Sequence, residues 1–237
     1  MNCNYILDKK VYDRFTKYLK TSLERNGVIS EDTVRYLFYI AAIKGLKLND
    51  SNIFAIQQEV SYEDSKLKLS KKNKTLLKTK NNTCLSELDT YIDFEEKYAI
   101  EFKYHRIFSK SGKIKSIPHT GYEGDIINDL NRLSIIGRNF HRMFVYVMDD
   151  GMINHLSDNG KYDNRFFYQF KNCDVNSEMP ICHKNIENDE LPTTKKAAYA
   201  SFTKGSAGLK DFCIQNIYAK SFKVKTENYK IMIFELT

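Results

Sequence analysis

The chain has 237 residues, 42% hydrophobic and 28% charged, with a formal charge of +7 from 37 Lys and Arg against 30 Asp and Glu. That length and balance predict one domain with a full-sized core and exclude a disordered chain, while the mild basic excess favours polyanionic partners. Five cysteines, Cys3, Cys84, Cys173, Cys182 and Cys213, contain no CxxC pair and so suggest neither a zinc ribbon nor a disulfide framework.

From the N-terminus, "MNCNYILDKK" lacks the basic-then-apolar pattern of a secretory signal, and the longest apolar run, around "LFYIAAI", is too short to span a bilayer. The expectation is a soluble, cytoplasmic protein. Val11, Phe15, Tyr18, Leu19 and Leu23 stand at helical spacing, which predicts a helix over 8–26 behind an Asp8 cap with Gly27 as its stop. Ser30 can cap a second helix through Val34, Leu37, Phe38 and Ala41, with Glu31 and Asp32 in its first turn and Gly45 at its end. A third, shorter helix is expected from Asp50 or Ser51, carrying Ile53, Ile56 and Val60 to the core and Glu59 near its end.

A lysine-dense run, "SKLKLSKKNKTLLKTK", precedes a change of period from 3.6 to 2 in "CLSELDTYI" and "YAIEFKYH", which predicts a β-hairpin turning at "DFEEK". A second basic loop, "SKSGKIKS", follows. Helical spacing returns through Ile126, Ile127, Leu130, Leu133 and Ile136 and ends near Gly137; "RMFVYVMDDG" then reads as a buried strand, which makes a βαβ crossover. The last third predicts a helix at "YDNRFFYQFKN" and two strands at "FCIQNIYAKSFKV" and "YKIMIFEL". The expected organisation is a single domain: N-terminal helices over about 1–60, a core over about 50–150 and a C-terminal elaboration over about 151–237.

Chemistry concentrates in the hairpin. Side chains of equal parity share a strand face, so Glu101 and Lys103 point one way and Ile100, Phe102 and Tyr104 the other. A three-residue turn at Phe94-Glu95-Glu96 would pair Asp93 with Lys97 and Tyr91 with Ala99, and would set Asp89 opposite Glu101. Facing carboxylates repel, and a divalent cation offsets the repulsion. Mg²⁺ accepts such a pair of carboxylates and keeps several waters, and Lys103 beside it could orient a water and offset charge on a phosphate. A bare E-x-K is more often a solvated strand face. The conjunction with a crossover helix and a buried fourth strand is what distinguishes it. The histidines, His105, His119, His141, His155 and His183, have no zinc-site spacing, and neither a GxxxxGK[ST] loop nor GxSxG is present.

This pattern resembles the PD-(D/E)xK nuclease superfamily, whose core is an αβββαβ unit with a metal-binding Asp on the second strand and E-x-K on the third. Asp89, Glu101 and Lys103 match those positions, and Leu88 stands where the motif's Pro usually stands. The resemblance implies an α/β fold with a central mixed sheet flanked by helices, a metal shell of Asp89 and Glu101 completed by Glu59 or else Glu63, and Mg²⁺ with Mn²⁺ as a substitute. It implies a Mg²⁺-dependent endonuclease of double-stranded DNA, a type II restriction endonuclease working as a homodimer alongside a separate methyltransferase. Alternatives are a repair, recombination or phage-defence nuclease on branched or single-stranded DNA, and a non-catalytic nucleic-acid-binding module. Lys71, Lys72, Lys74, Lys110, Lys113 and Lys115, with Lys195, Lys196 and Lys204 in "KKAAYASFTKGSAGLK", are then the expected phosphate contacts.

Overall fold

The structure, a computed structural model, describes residues 7, 9–62, 64–67, 69, 87–106, 119–155, 173–181 and 212–237. The expected helix over 162–172, the lysine run from residue 70 to 80, the second basic loop, the basic stretch over 195–210, and Glu63 lie outside them.

Helix α1 (Lys9–Asn26) buries Val11, Phe15, Leu19 and Leu23 along one stripe and stops at Gly27, whose φ of 69° lets its N–H reach Leu23 O at 2.8 Å. Helix α2 (Glu31–Leu46) starts at Ser30, whose Oγ accepts from Thr33 N. It does not stop at Gly45 as expected; the left-handed residue that closes it is Lys47, at φ 55°. Gly45 instead serves packing, because a Cβ there would lie 2.3 Å from Val11 Cγ2 of α1.

The third expected helix is a strand. After a 3-10 turn at Ile53–Ala55, β1 runs over Ile56–Ser61 and pairs antiparallel with β2 (Glu87–Asp93), so Glu59 sits on a strand rather than near a helix end. The helical spacing of Ile56 and Val60 has a physical cause. Glu59 has a left-handed backbone (φ 53°), and beyond it the faces exchange: Ile56 joins the core on one side of the sheet and Val60 the core on the other. A straight strand would keep both on one side.

The hairpin forms in the expected register as far as Thr90↔Ile100, but the expected pairing of Asp89 opposite Glu101 is not part of the ladder. β2 pairs antiparallel with β3 (Lys97–His105) in the register Asp93↔Lys97, Tyr91↔Ala99 and Thr90↔Ile100. Helix α3 (His119–Ser134) then carries the chain back so that β4 (His141–Asp149) runs parallel to β3, and β4 is buried along nearly its whole length. A short helix α4 (Asp150–His155) and strand β5 (Glu178–Ile181) precede the two closing strands, β6 (Phe212–Val224) and β7 (Glu227–Leu236). The sheet is mixed, in the order β1-β2-β3-β4-β7-β6-β5.

Helices cover both faces. On one, Ile92, Ile100, Phe102 and Val145 pack under α1 and α2; Phe38 of α2 meets Phe102 edge-on at 5.1 Å and Phe15 of α1 at 5.3 Å. On the other, Tyr91, Ala99, Phe144 and Tyr146 pack with Ile126, Leu130 and Leu133 of α3. Among the described residues no helix is long and apolar enough to cross a membrane.

Candidate active site

The β2–β3 ladder ends at Thr90↔Ile100, and side chains take over the strand's hydrogen bonds there. Successive even residues of β3 direct their N–H groups to the same edge. Ile100 has a β2 partner; Phe102 N instead donates to Asp89 Oδ2 at 2.7 Å, and Tyr104 N donates to Glu31 Oε2 at 3.0 Å. The capped N-terminus of α2 thus fills the opening beside β3, and Asp89 stands at its base.

Glu59 lies across from Asp89, since the register Gln58↔Thr90 and Val60↔Leu88 brackets them both. Two carboxylates in that position repel. Arg35 of α2 offsets this, with Nη1 3.0 Å from Asp89 Oδ1 and Nη2 3.4 Å from Glu59 Oε1, and it also pairs with Asp32. Glu59 remains largely exposed.

Glu101 and Lys103 share the other face of β3, but that face is not the solvated one that an alternating strand suggests. α3 covers it, and Glu101 is 1% exposed. Glu101 Oε1 accepts from Tyr62 O–H at 2.6 Å and from Arg132 Nε at 3.1 Å, while Oε2 has only a long contact of 3.5 Å to Arg132 Nη2. Arg132 also pairs with Asp129, one turn earlier on α3. Lys103 Nζ lies 3.1 Å from Asp129 Oδ2, an ion pair, and 3.7 Å from Glu31 Oε1.

Burial dominates the electrostatics. It pushes the Glu101 carboxyl up to about 8 against the opposing charge of Arg132, with Asp129 and Asp89 adding to the rise. Burial likewise lifts Asp129 to about 6, against Arg132 and Lys103. The buried Tyr62 hydroxyl is held well above its usual range by burial and then by Glu101, so it remains a donor. His105, at the end of β3, is pushed down to about 3 by burial and by Lys103; it is neutral, with Nδ1 3.2 Å from Tyr146 Oη.

Asp89, Glu101 and Lys103 therefore gather around the end of one ladder, with Glu59 beside them. The candidate DNA-contacting lysines all fall outside the described residues. Arg35, Tyr62, Asp129 and Arg132 are the site residues that the sequence reading misses. A signal exists for two of them: Asp129 falls at helical spacing from Ile126 and Leu133, an acid on an apolar stripe, and Arg132 follows it at i+3.

The six carboxylates of Glu31, Asp32, Glu59, Asp89, Glu101 and Asp129 share three cations, Arg35, Lys103 and Arg132. Among the described residues no three His, Cys, Asp or Glu side chains converge to hold a metal ion. Asp89 and Glu101 are the two carboxylates that could hold a hard dication such as Mg²⁺, with water in its other positions. Comparisons with models of known families, with curated proteins and with solved structures find no match for this chain.

Proposed function

We propose that this chain is a divalent-metal-dependent endonuclease of double-stranded DNA on a restriction-endonuclease-like fold, in the manner of a type II restriction enzyme acting as a homodimer. One observation carries the reading: Asp89 of β2 and Glu101 and Lys103 of β3 all lie just past the end of the β2–β3 ladder, within a helix, three antiparallel strands, a helix and a parallel strand. Mg²⁺, or Mn²⁺ in its place, held by Asp89 and Glu101 would polarise a phosphodiester and lower the pKa of a bound water. The Lys103 ammonium orients the attacking water and offsets the charge that grows on the phosphate oxygens. Asp89 fixes the local geometry through Phe102 N, and Tyr62 and Arg132 hold Glu101 by Oε1. Glu59, across from Asp89, is the candidate to complete the shell.

A second reading has an observation in its favour: Arg35 and Arg132 already neutralise the carboxylates, as they would in a nucleic-acid-binding module without chemistry. Incubating the purified protein with methylated and unmethylated plasmid, in Mg²⁺ or in EDTA, separates the two. Discrete Mg²⁺-dependent fragments support a restriction enzyme, nicked or degraded DNA supports a structure-selective nuclease, and DNA bound but intact in every condition supports the binding module.

A further inference from the structure

α3 carries a second pair of charges matched to the first. Because β3 and β4 run parallel, α3, the helix described between them, must travel back along β3 in the opposite direction. Glu101 and Lys103 are two residues apart on the strand, a span of about 6.6 Å. Asp129 and Arg132 are three apart on the helix, a rise of about 4.5 Å on one face. The reversed direction sets the later helix residue against the earlier strand residue, and the contacts follow: Arg132 meets Glu101 at 3.1 Å and Asp129 meets Lys103 at 3.1 Å. Each charge faces its opposite, and the Arg132–Asp129 contact joins the two pairs into one chain from Glu101 to Lys103.

Building this chain under cover is costly, since Asp129 is 1% exposed and an acid there takes the place of an apolar side chain on the α3 stripe. A helix that only had to pack would carry a hydrophobic residue at this position. The guanidinium is also specific: its Nε holds Glu101 by Oε1 while another nitrogen holds Asp129, a forked contact that a lysine cannot reproduce. We propose that Asp129 and Arg132 are positioning residues, which set the Lys103 ammonium and the Glu101 carboxylate in the arrangement that phosphodiester cleavage needs. This inference rests on the nuclease reading above.

The test uses the full chain as Asp129→Asn, Arg132→Gln and Arg132→Lys, each checked for folding by circular dichroism, with Mg²⁺ and supercoiled plasmid as substrate. Asp129→Asn keeps the size of the side chain and serves where an Arg132 variant does not fold. In the folded variants kcat is expected to fall about 100-fold, the cost of an approximately 1 Å misplacement, while KM for plasmid stays within about threefold of the wild type. Arg132→Lys should recover part of the loss seen in Arg132→Gln. Folded variants that cleave with wild-type kcat would overturn the inference alone, and so would a loss confined to KM. A wild type that cleaves nothing would overturn the nuclease reading and this inference with it.

Discussion

In the proposed reaction Lys103 is the residue on which the chemistry turns, because it stands on the same strand as Glu101, two residues along and on the same face. Replacing it by alanine is expected to lower the cleavage rate about 10²- to 10³-fold, the usual cost of losing one preorganised charge at a developing oxyanion, measured by single-turnover plasmid cleavage. Of the residues around it, Asp89, Glu101 and Lys103 are legible in the sequence because a strand's alternation fixes which side chains share a face. Arg35 is not: its role depends on how α2 lies against the sheet, and an isolated arginine in a helical segment carries no sign of that, whereas Arg132 is signalled as the i+3 neighbour of an acid on the α3 apolar stripe. At the opposite end of the sheet His141 makes a separate pH-sensitive contact. Its Nδ1 lies 2.7 Å from Glu235 Oε1, and that hydrogen bond, aided by the charges of Glu235 and Glu96, raises its pKa against partial burial. A raised pKa stabilises the fold below the ordinary histidine value of about 6.5, and the contribution disappears as pH rises through the folded value. Urea unfolding of wild type and His141→Asn at pH 5.5 and 8.5 should therefore differ by roughly 1 kcal/mol more at the lower pH.

At the scale of elements, the first two helices, the hairpin, α3 and the closing strands can be read from the spacing of their apolar residues, and β4 from its continuous apolar run, buried on both faces. The segment after α2 cannot. Ile53, Ile56 and Val60 fit a helix, yet the chain forms β1 because pairing with β2 and the left-handed residue at Glu59 decide the outcome. A single sequence signals neither a pairing partner nor a non-glycine residue with positive φ. Gly45 misleads for a related reason, resembling a local stop when its role is close approach to α1. Gly45→Ala should gain about 1 kcal/mol in helix propensity but push a Cβ into the fully buried Val11. Overpacking costs about 1–3 kcal/mol, so a net loss of stability is expected by chemical denaturation. Ser30→Ala, which removes the α2 cap, should cost about 1 kcal/mol. It should also loosen Glu31, the residue that receives Tyr104 N in the opening beside β3.

For the whole molecule, the described helices cover both faces of the sheet, and the proposed function has its substrate reach Asp89 and Lys103 at the end of the β2–β3 ladder. In that proposal the basic runs that flank the hairpin in sequence would supply the attraction for a polyanion, and the charge of +7 has the right sign. Replacing Lys71, Lys72 and Lys74 together by alanine should weaken DNA binding on all sequences alike. It should also reduce the slope of log affinity against log salt by roughly 3, about 0.9 for each phosphate that is no longer neutralised, as measured by fluorescence anisotropy between low and physiological salt. The central claim is that the acids at the end of the ladder perform chemistry. Asp89→Ala tests it most directly, with plasmid cleavage in Mg²⁺ and DNA binding measured on the same preparation. The account predicts that wild type cuts and that Asp89→Ala binds DNA with comparable affinity but cuts none. Cleavage undiminished in Asp89→Ala, or wild type that binds DNA and never cuts it, would contradict the account.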